Sequence, residues 1–259
     1  MGEAIVFDEA DEFAIAAPDV SHLVTEDDTP VDNLFSERQM ALLRETLYTS
    51  WEGPGEGRPF VAMGNVAIYV TNFHPPLVPD LLLSLDVTLP DNVRIKEHRC
   101  YYFWLYGKPP EVVIEIVSNQ KGGELGNKLL DYARMGVSYY VVYDPDAYLS
   151  KQPLHVFARQ GTHFLETEDR ELAGVGLELT LWWGAYDGLE TNWLRWVDRS
   201  GVLLATGAEA KQTEQLRADQ AQLRADQAQL QAEQERQRAE ALAAKLRELG
   251  IDPQSIVGV

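Results

Sequence analysis

Residues 111–143 read EVVIEIVSNQKGGELGNKLLDYARMGVSYYVVY, and this stretch decides the fold. Glu111–Val117 and Val137–Tyr143 are short, nearly unbroken runs of Val, Ile and Tyr, as in strands covered on both faces. Between them, Leu125–Met135 carries its apolar side chains at helical spacing and stops at Gly136. Outward from this unit, Leu81–Val87 reads as a strand opened by Pro79-Asp80, and Val66–Val70 as another. Further strands are expected at Leu154–Ala158 and Leu177–Trp182. Trp193–Val197 and Val202–Ala205 flank Asp198-Arg199-Ser200-Gly201, which reads as a hairpin turn. Met40–Leu47 has helical spacing, with Met40, Leu43 and Leu47 on one face. The class is α/β: a mixed sheet flanked by helices. Trp182, Trp183, Trp193 and Trp196 lack interleaved basic residues, so they read as core and hairpin packing rather than as a base-stacking platform.

Past the strands the pattern changes. Residues 215–221 read QLRADQA, and residues 222–228 repeat QLRADQA. QLQAEQE, RQRAEAL and AAKLREL follow, with no glycine or proline before Gly250. This composition predicts one helix from about Ala208 to Leu249, roughly 60 Å long at 1.5 Å per residue. A seven-residue period suggests a coiled coil. One stripe runs Ala218, Ala221, Ala225, Ala228, Ala232, then Glu235 and Ala239, and ends in Leu242, Leu246 and Leu249. The opposite side carries Leu216, Leu223 and Leu230, interleaved with Gln220 and Gln227. A self-associating helix and a largely solvated single helix are both open at this point.

The formal net charge of −19 is unevenly spread. Residues 1–39 hold eleven acids against one base, whereas residues 208–250 hold eight acids and seven bases. The domain plan is therefore an acidic leader over 1–34 in loop conformation, a core domain over 35–207, a charged helix over 208–250 and a tail over 251–259. The leader reads as a solvated segment or, more specifically, as a nucleic-acid mimic covering a basic groove. The overall acidity argues against a generic nucleic-acid binder. Cys100 stands alone, which excludes an internal disulfide framework and a cysteine-rich zinc site. No apolar run approaches the ~20 residues a spanning helix needs, and the acidic N-terminus does not resemble a secretory signal. A cytoplasmic protein with no membrane partner is expected.

Three residues stand out chemically. Glu115 interrupts Val112-Val113-Ile114-Glu115-Ile116-Val117, and alternation puts it on one face with Val113 and Val117. A buried carboxylate without a partner costs several kcal/mol or titrates upward. Asp80 sits at the mouth of another apolar strand. Two strand-borne carboxylates in one sheet can converge on a hard cation such as Mg²⁺. Lys128 lies on the helix after Glu115's strand, beside Leu125, Leu129 and Tyr132 at spacings of 3 and 4. Its ammonium can turn toward the same place. Lys121, in the loop, is a less constrained alternative.

The ordered set of motifs resembles a known family. Val78-Pro79-Asp80-Leu81, Pro110–Ser118, Gly126-Asn127-Lys128-Leu129, Tyr132–Val137 and Tyr139–Pro145 are similar to the Uma-two family of restriction-endonuclease-like proteins, over about residues 35–205. The tail Leu246–Pro253 also looks like tails of that family. The resemblance implies the PD-(D/E)XK nuclease fold, with Asp80 and Glu115 as metal ligands. Where the strict signature has lysine two residues after the glutamate, this chain has Val117. The resemblance implies that Lys128 takes that lysine's role, while the backbone carbonyl of Val117 or its neighbour Ile116 ligates the metal. It also implies an acid on the first helix, for which Glu45 is the candidate, with Glu37 behind it. The expected activity is a DNA endonuclease that uses Mg²⁺ or Mn²⁺ and metal-activated water, in a homo-oligomer such as a dimer. The alternative is an inactive nuclease-like scaffold that acts through its C-terminal helix.

Overall fold

Asn33 starts the regular structure. Its side chain accepts the Ser36 N–H at 2.8 Å and so satisfies one of the donors that a helix start leaves open. Helix α1 runs from there, Leu34–Ser50, well beyond both ends of the periodic stretch Met40–Leu47. The computed structural model describes residues 17–25, 33–119, 123–250 and 252. After α1 come β1 (Phe60–Gly64), β2 (Ile68–Tyr69), β3 (Leu81–Leu85), β4 (Tyr101–Tyr102) and the short helix α2 (Phe103–Tyr106). The central unit is β5 (Val112–Ile116), α3 (Asn127–Met135) and β6 (Tyr139–Tyr143). Then follow β7 (Leu154–Gln160), β8 (His163–Thr167), β9 (Glu171–Leu172), β10 (Leu177–Tyr186), β11 (Leu189–Asp198) and α4 (Gly207–Glu248).

Six strands form the main sheet in the order β1-β3-β5-β6-β7-β8. β5 and β6, joined through α3, pair parallel, and every other neighbouring pair is antiparallel. The mixed sheet expected from residues 111–143 is therefore present. Among the described residues, a three-stranded sheet, β11-β10-β9, and the small parallel pair β2-β4 complete the strands.

Strand alternation sorts the side chains onto two faces. Leu81, Leu83, Val112, Ile114, Ile116 and Val141 pack with Met40, Leu43 and Leu47 of α1 and with Leu179, Leu194 and Trp196 of the second sheet. Leu82, Val113, Val117, Tyr140 and Val142 pack with Tyr132 and Ala133 of α3. Trp193 and Trp196 are fully buried, as the core reading predicts. Trp182 instead carries the Arg195 guanidinium 4.7 Å above its ring, and Trp183 is exposed.

Three local readings need correction. Of Val66–Val70, only Ile68–Tyr69 is strand, and it pairs with β4 rather than with the main sheet. Asn65, at a left-handed φ of 53°, turns the chain out after β1. The Asp198–Gly201 turn exists, closed by the Gly201 N–H on the Asp198 carbonyl, but Val202–Ala205 adds only an isolated bridge from Leu203 to Val197. The long hairpin is β10–β11, and it turns at Asp187-Gly188. Both residues have positive φ, the conformation whose twist matches the flanking strands. Finally, part of the acidic leader is packed. Val20 and Leu23 are buried against Tyr69, Cys100 and Tyr102, and the Tyr69 hydroxyl donates to the Val24 carbonyl at 2.6 Å. The rest of the leader, residues 1–16 and 26–32, lies outside the described residues, as does the mimicry reading that falls on it.

Contacts divide the chain into two units that meet between Thr206 and Gly207. The second is α4 with the residues after it. α4 has no buried residue. Among the described residues, no helix is long and apolar enough to cross a membrane.

Candidate functional site

The register of β3 and β5 builds the site. Leu81 stands opposite Ile114 in this antiparallel pair, so Asp80, one residue before β3, faces Glu115. Facing positions on neighbouring antiparallel strands project to the same side of the sheet with Cβ atoms about 5 Å apart. Asp80 turns its carboxylate onto the strand: the Ile116 N–H donates to Asp80 Oδ2 at 2.6 Å. Buried Pro79 fixes the backbone just before it. Two acids 35 residues apart in sequence are thus brought together on the face covered by α3.

Glu115 is only 3 % exposed. Both of its oxygens are satisfied. Lys128 Nζ donates to Oε2 at 2.9 Å, and the Tyr132 hydroxyl donates to Oε1 at 2.8 Å. Burial nevertheless dominates and pushes its pKa up to about 7, helped by the nearby Asp80 charge and opposed by Lys128 and Tyr132. Lys128 behaves differently because a third of its side chain is exposed. Burial disfavours its charge, but Glu115 and Glu124 outweigh burial and hold its pKa above the ordinary lysine value. The Tyr132 phenol is driven well above its ordinary value by burial and by Glu115, so it stays a proton donor at neutral pH.

Glu124 completes the group. The turn over residues 123–126 precedes α3, and the Lys128 N–H donates to the Gly123 carbonyl. This winding places Glu124 one helical turn before Lys128, whose Nζ reaches Glu124 Oε1 at 3.3 Å. The Tyr140 hydroxyl holds the same residue by its backbone carbonyl at 2.9 Å. Glu124 Oε2 is buried and has no hydrogen-bond partner among the described residues. Sequence reasoning did not single out Glu124, which directly precedes the periodic stretch Leu125–Met135. The Glu–Lys spacing of four is the signal that could have found it.

Of the expected site residues, Asp80, Glu115 and Lys128 come together. Val117 directly follows β5, and its N–H donates to the Tyr143 carbonyl. Glu45 is not brought to them. It lies on α1, which packs against the opposite face of the sheet, and it accepts the Tyr186 hydroxyl of β10 at 2.9 Å. Glu37 pairs with Arg38 at 2.9 Å on the same helix. The two turn their polar groups toward the hairpin, not toward Asp80: Arg38 also reaches Asp187 at 3.2 Å. Lys121 lies outside the described residues.

The donors are oxygens: Glu115 and Glu124 meet the single Lys128 ammonium, and Asp80 faces Glu115 across the strand pair. That excess of negative charge, with one buried carboxylate oxygen unpartnered, fits a hard divalent cation such as Mg²⁺, which commonly takes one or two carboxylates and keeps several waters. It does not form a closed cage: no cluster of three or more His, Cys, Asp or Glu among the described residues is arranged to hold a metal.

Comparison with known proteins adds one finding. The family model Uma2, described as "Putative restriction endonuclease", matches residues 27–184. No curated protein and no solved structure matches the chain.

Proposed function

Because this chain belongs to the Uma2 family, we propose that it is a metal-dependent endonuclease that hydrolyses phosphodiester bonds in DNA. The observation that supports this most is the pairing of Asp80 and Glu115 at facing positions of β3 and β5, with the Lys128 ammonium on Glu115. Asp80 and Glu115 would hold Mg²⁺ or Mn²⁺, with the Val117 carbonyl beside them. Such a cation, when bound, supplies an activated water at neutral pH and offsets charge on the phosphate.

The chain's own residues do the rest. The Tyr132 hydroxyl fixes the Glu115 carboxylate in one orientation. Lys128 Nζ has three protons; two are directed at Glu115 and Glu124, and the third is left to meet a phosphate oxygen or the attacking water. Placed there, it stabilises the charge that develops as the phosphodiester is attacked. Glu124 keeps the ammonium protonated and aimed.

The test is plasmid nicking by purified protein with Mg²⁺ or Mn²⁺. Cleavage that disappears with chelator and in Asp80→Ala and Glu115→Ala, both still folded by circular dichroism, supports the assignment. Cleavage undiminished in those variants overturns it.

A second reading draws on the Lys128–Glu115 pair itself. An acid already neutralised by an ammonium and a phenol can be a structural ion pair in a scaffold that does not cleave. Calorimetric titration separates the two readings: no heat and no thermal shift with Mg²⁺ or Mn²⁺ favours the scaffold.

A further inference from the structure

α4 is a 42-residue helix with no buried residue, and Leu216, Leu223 and Leu230 are 55 %, 58 % and 60 % exposed. These three leucines recur every seven residues, which is the spacing of one core position in a coiled coil. We infer that α4 pairs with α4 of a second copy of this chain as a parallel, in-register two-stranded coiled coil, with these leucines at position d.

The charges flanking that seam carry the argument. With leucine at d, position e is occupied by Arg217, Arg224, Gln231, Arg238 and Lys245. Position g is occupied by Asp219, Asp226, Glu233 and Glu240, with Arg247 following in the last turn. One flank of the seam is therefore basic or neutral along these heptads, and the other is acidic. In a parallel dimer each g residue faces the e residue of the next heptad on the partner helix. Asp219 then meets the copy's Arg224, Glu233 its Arg238, and Glu240 its Lys245, all with opposite sign. In an antiparallel dimer g faces g and e faces e, and like charges meet wherever both positions are charged across these four heptads. The pattern selects one orientation and one register.

The competing stripe lacks this property. If Ala218, Ala221, Ala225 and Ala228 formed the core, the basic Arg217 and Arg224 would face Gln222 and Gln229. No acid stands opposite them. Within the helix, Gln215 Nε2 and Gln222 Nε2 donate to Asp219 Oδ1 at 2.9 Å and Asp226 Oδ1 at 2.8 Å. These bonds hold two of the g-position carboxylates along their flank of the seam. Gln220 and Gln227 occupy position a between the leucine layers, and beyond Leu230 the seam continues through Gln234, Gln237, Ala241 and Ala244. Polar core positions set register at a cost in stability. Association is therefore expected to be moderate and to weaken with salt, which screens the flanking charges.

Sedimentation equilibrium of the full chain tests the proposal. At low salt the wild type should sediment as a dimer, with weaker association in high salt. A variant carrying Arg217→Glu, Arg224→Glu, Arg238→Glu and Lys245→Glu should be monomeric. So should one carrying Asp219→Lys, Asp226→Lys, Glu233→Lys and Glu240→Lys, and an equimolar mixture of the two should restore the dimer. All eight positions are exposed, so circular dichroism should show both variants folded. Ala244→Cys, near the far end of the same seam, should form a disulfide-linked dimer under mild oxidation, while the buried native Cys100 does not. A monomeric wild type overturns the proposal. So does a dimer that both charge variants retain, or an Ala244→Cys dimer that fails to cross-link.

Discussion

The two faces of β5 share one backbone and differ in one residue type. Toward α1 the strand presents Val112, Ile114 and Ile116, whose side chains join one buried apolar cluster. Toward α3 it presents Val113, Glu115 and Val117, and the middle position is an acid met by a lysine and a phenol. Both faces are equally dry. The difference is that the α1 face uses its burial only to hold the sheet together, whereas the α3 face uses the same burial to raise a carboxyl to a pKa of about 7. Burial under α3 is what makes this acid chemically unusual.

That contrast can be broken from either side. The largest effect should come from Glu115→Ala, which should reduce metal-dependent cleavage by at least ~100-fold while the protein stays folded; activity per folded molecule is the readout. On the other face, Ile114→Ala should cost about 2–5 kcal/mol of stability through the cavity it leaves, measured by urea denaturation. Cleavage per folded molecule should survive that change. If Ile114→Ala lost activity and kept stability, the division of labour between the faces would be wrong.

Acidity sharpens the comparison further. An acid whose pKa is raised by folding keeps its proton in the native state where the unfolded chain has already released it. Glu115 therefore makes the protein lose stability as pH rises from its ordinary value of 4.5 to about 7. Lys128, raised above its ordinary 10.5, contributes stability that is present below that value and is lost as pH rises past its folded-state pKa. Stability measured from pH 4.5 to 7.5 should fall in the wild type and be flatter in Glu115→Gln. Equal slopes would remove the acid from this account.

Tyr132→Phe should have a smaller effect, about 1 kcal/mol of stability, and should move the Glu115 titration still higher because a donor to the carboxylate is lost. An NMR titration of the Glu115 side chain reads the shift. The smallest effect is expected from Glu45→Gln, which keeps a hydrogen-bonding side chain beside Tyr186 and lies across the sheet from Asp80. Stability should change by within about 0.5 kcal/mol and cleavage should be unchanged.

The central unit was legible because its signals are local. The alternation over 112–117 assigns Glu115 to a face, and the spacing over 125–135 puts Lys128 and Tyr132 on one side of a helix. Asp80 was visible as an acid before a strand, but only the register of β3 against β5 makes it face Glu115. Glu124 was passed over because its burial depends on how the turn over residues 123–126 winds, which no periodicity records. Glu45 was misjudged because a sequence shows that α1 is a helix without showing which side of the sheet it covers. The hairpin over 177–198 was cut short at Trp182, since a second tryptophan, the exposed Trp183, and then Gly184 break the alternation that would have carried the strand to Asp187-Gly188.

The bond from the Ile116 N–H to Asp80 has a consequence for how the chain finds its fold. A slip of β5 by one residue would exchange its two faces. Glu115 would then enter the apolar layer under α1, far from Lys128 and Tyr132, and Ile114 or Ile116 would face their unmatched polar groups. Hydrophobic content alone discriminates poorly between the two registers, because both faces of β5 are rich in Val and Ile. The acids that support the chemistry therefore also mark the correct alignment during folding, and variants that neutralise them should refold with more misaligned species even where the native state gains stability.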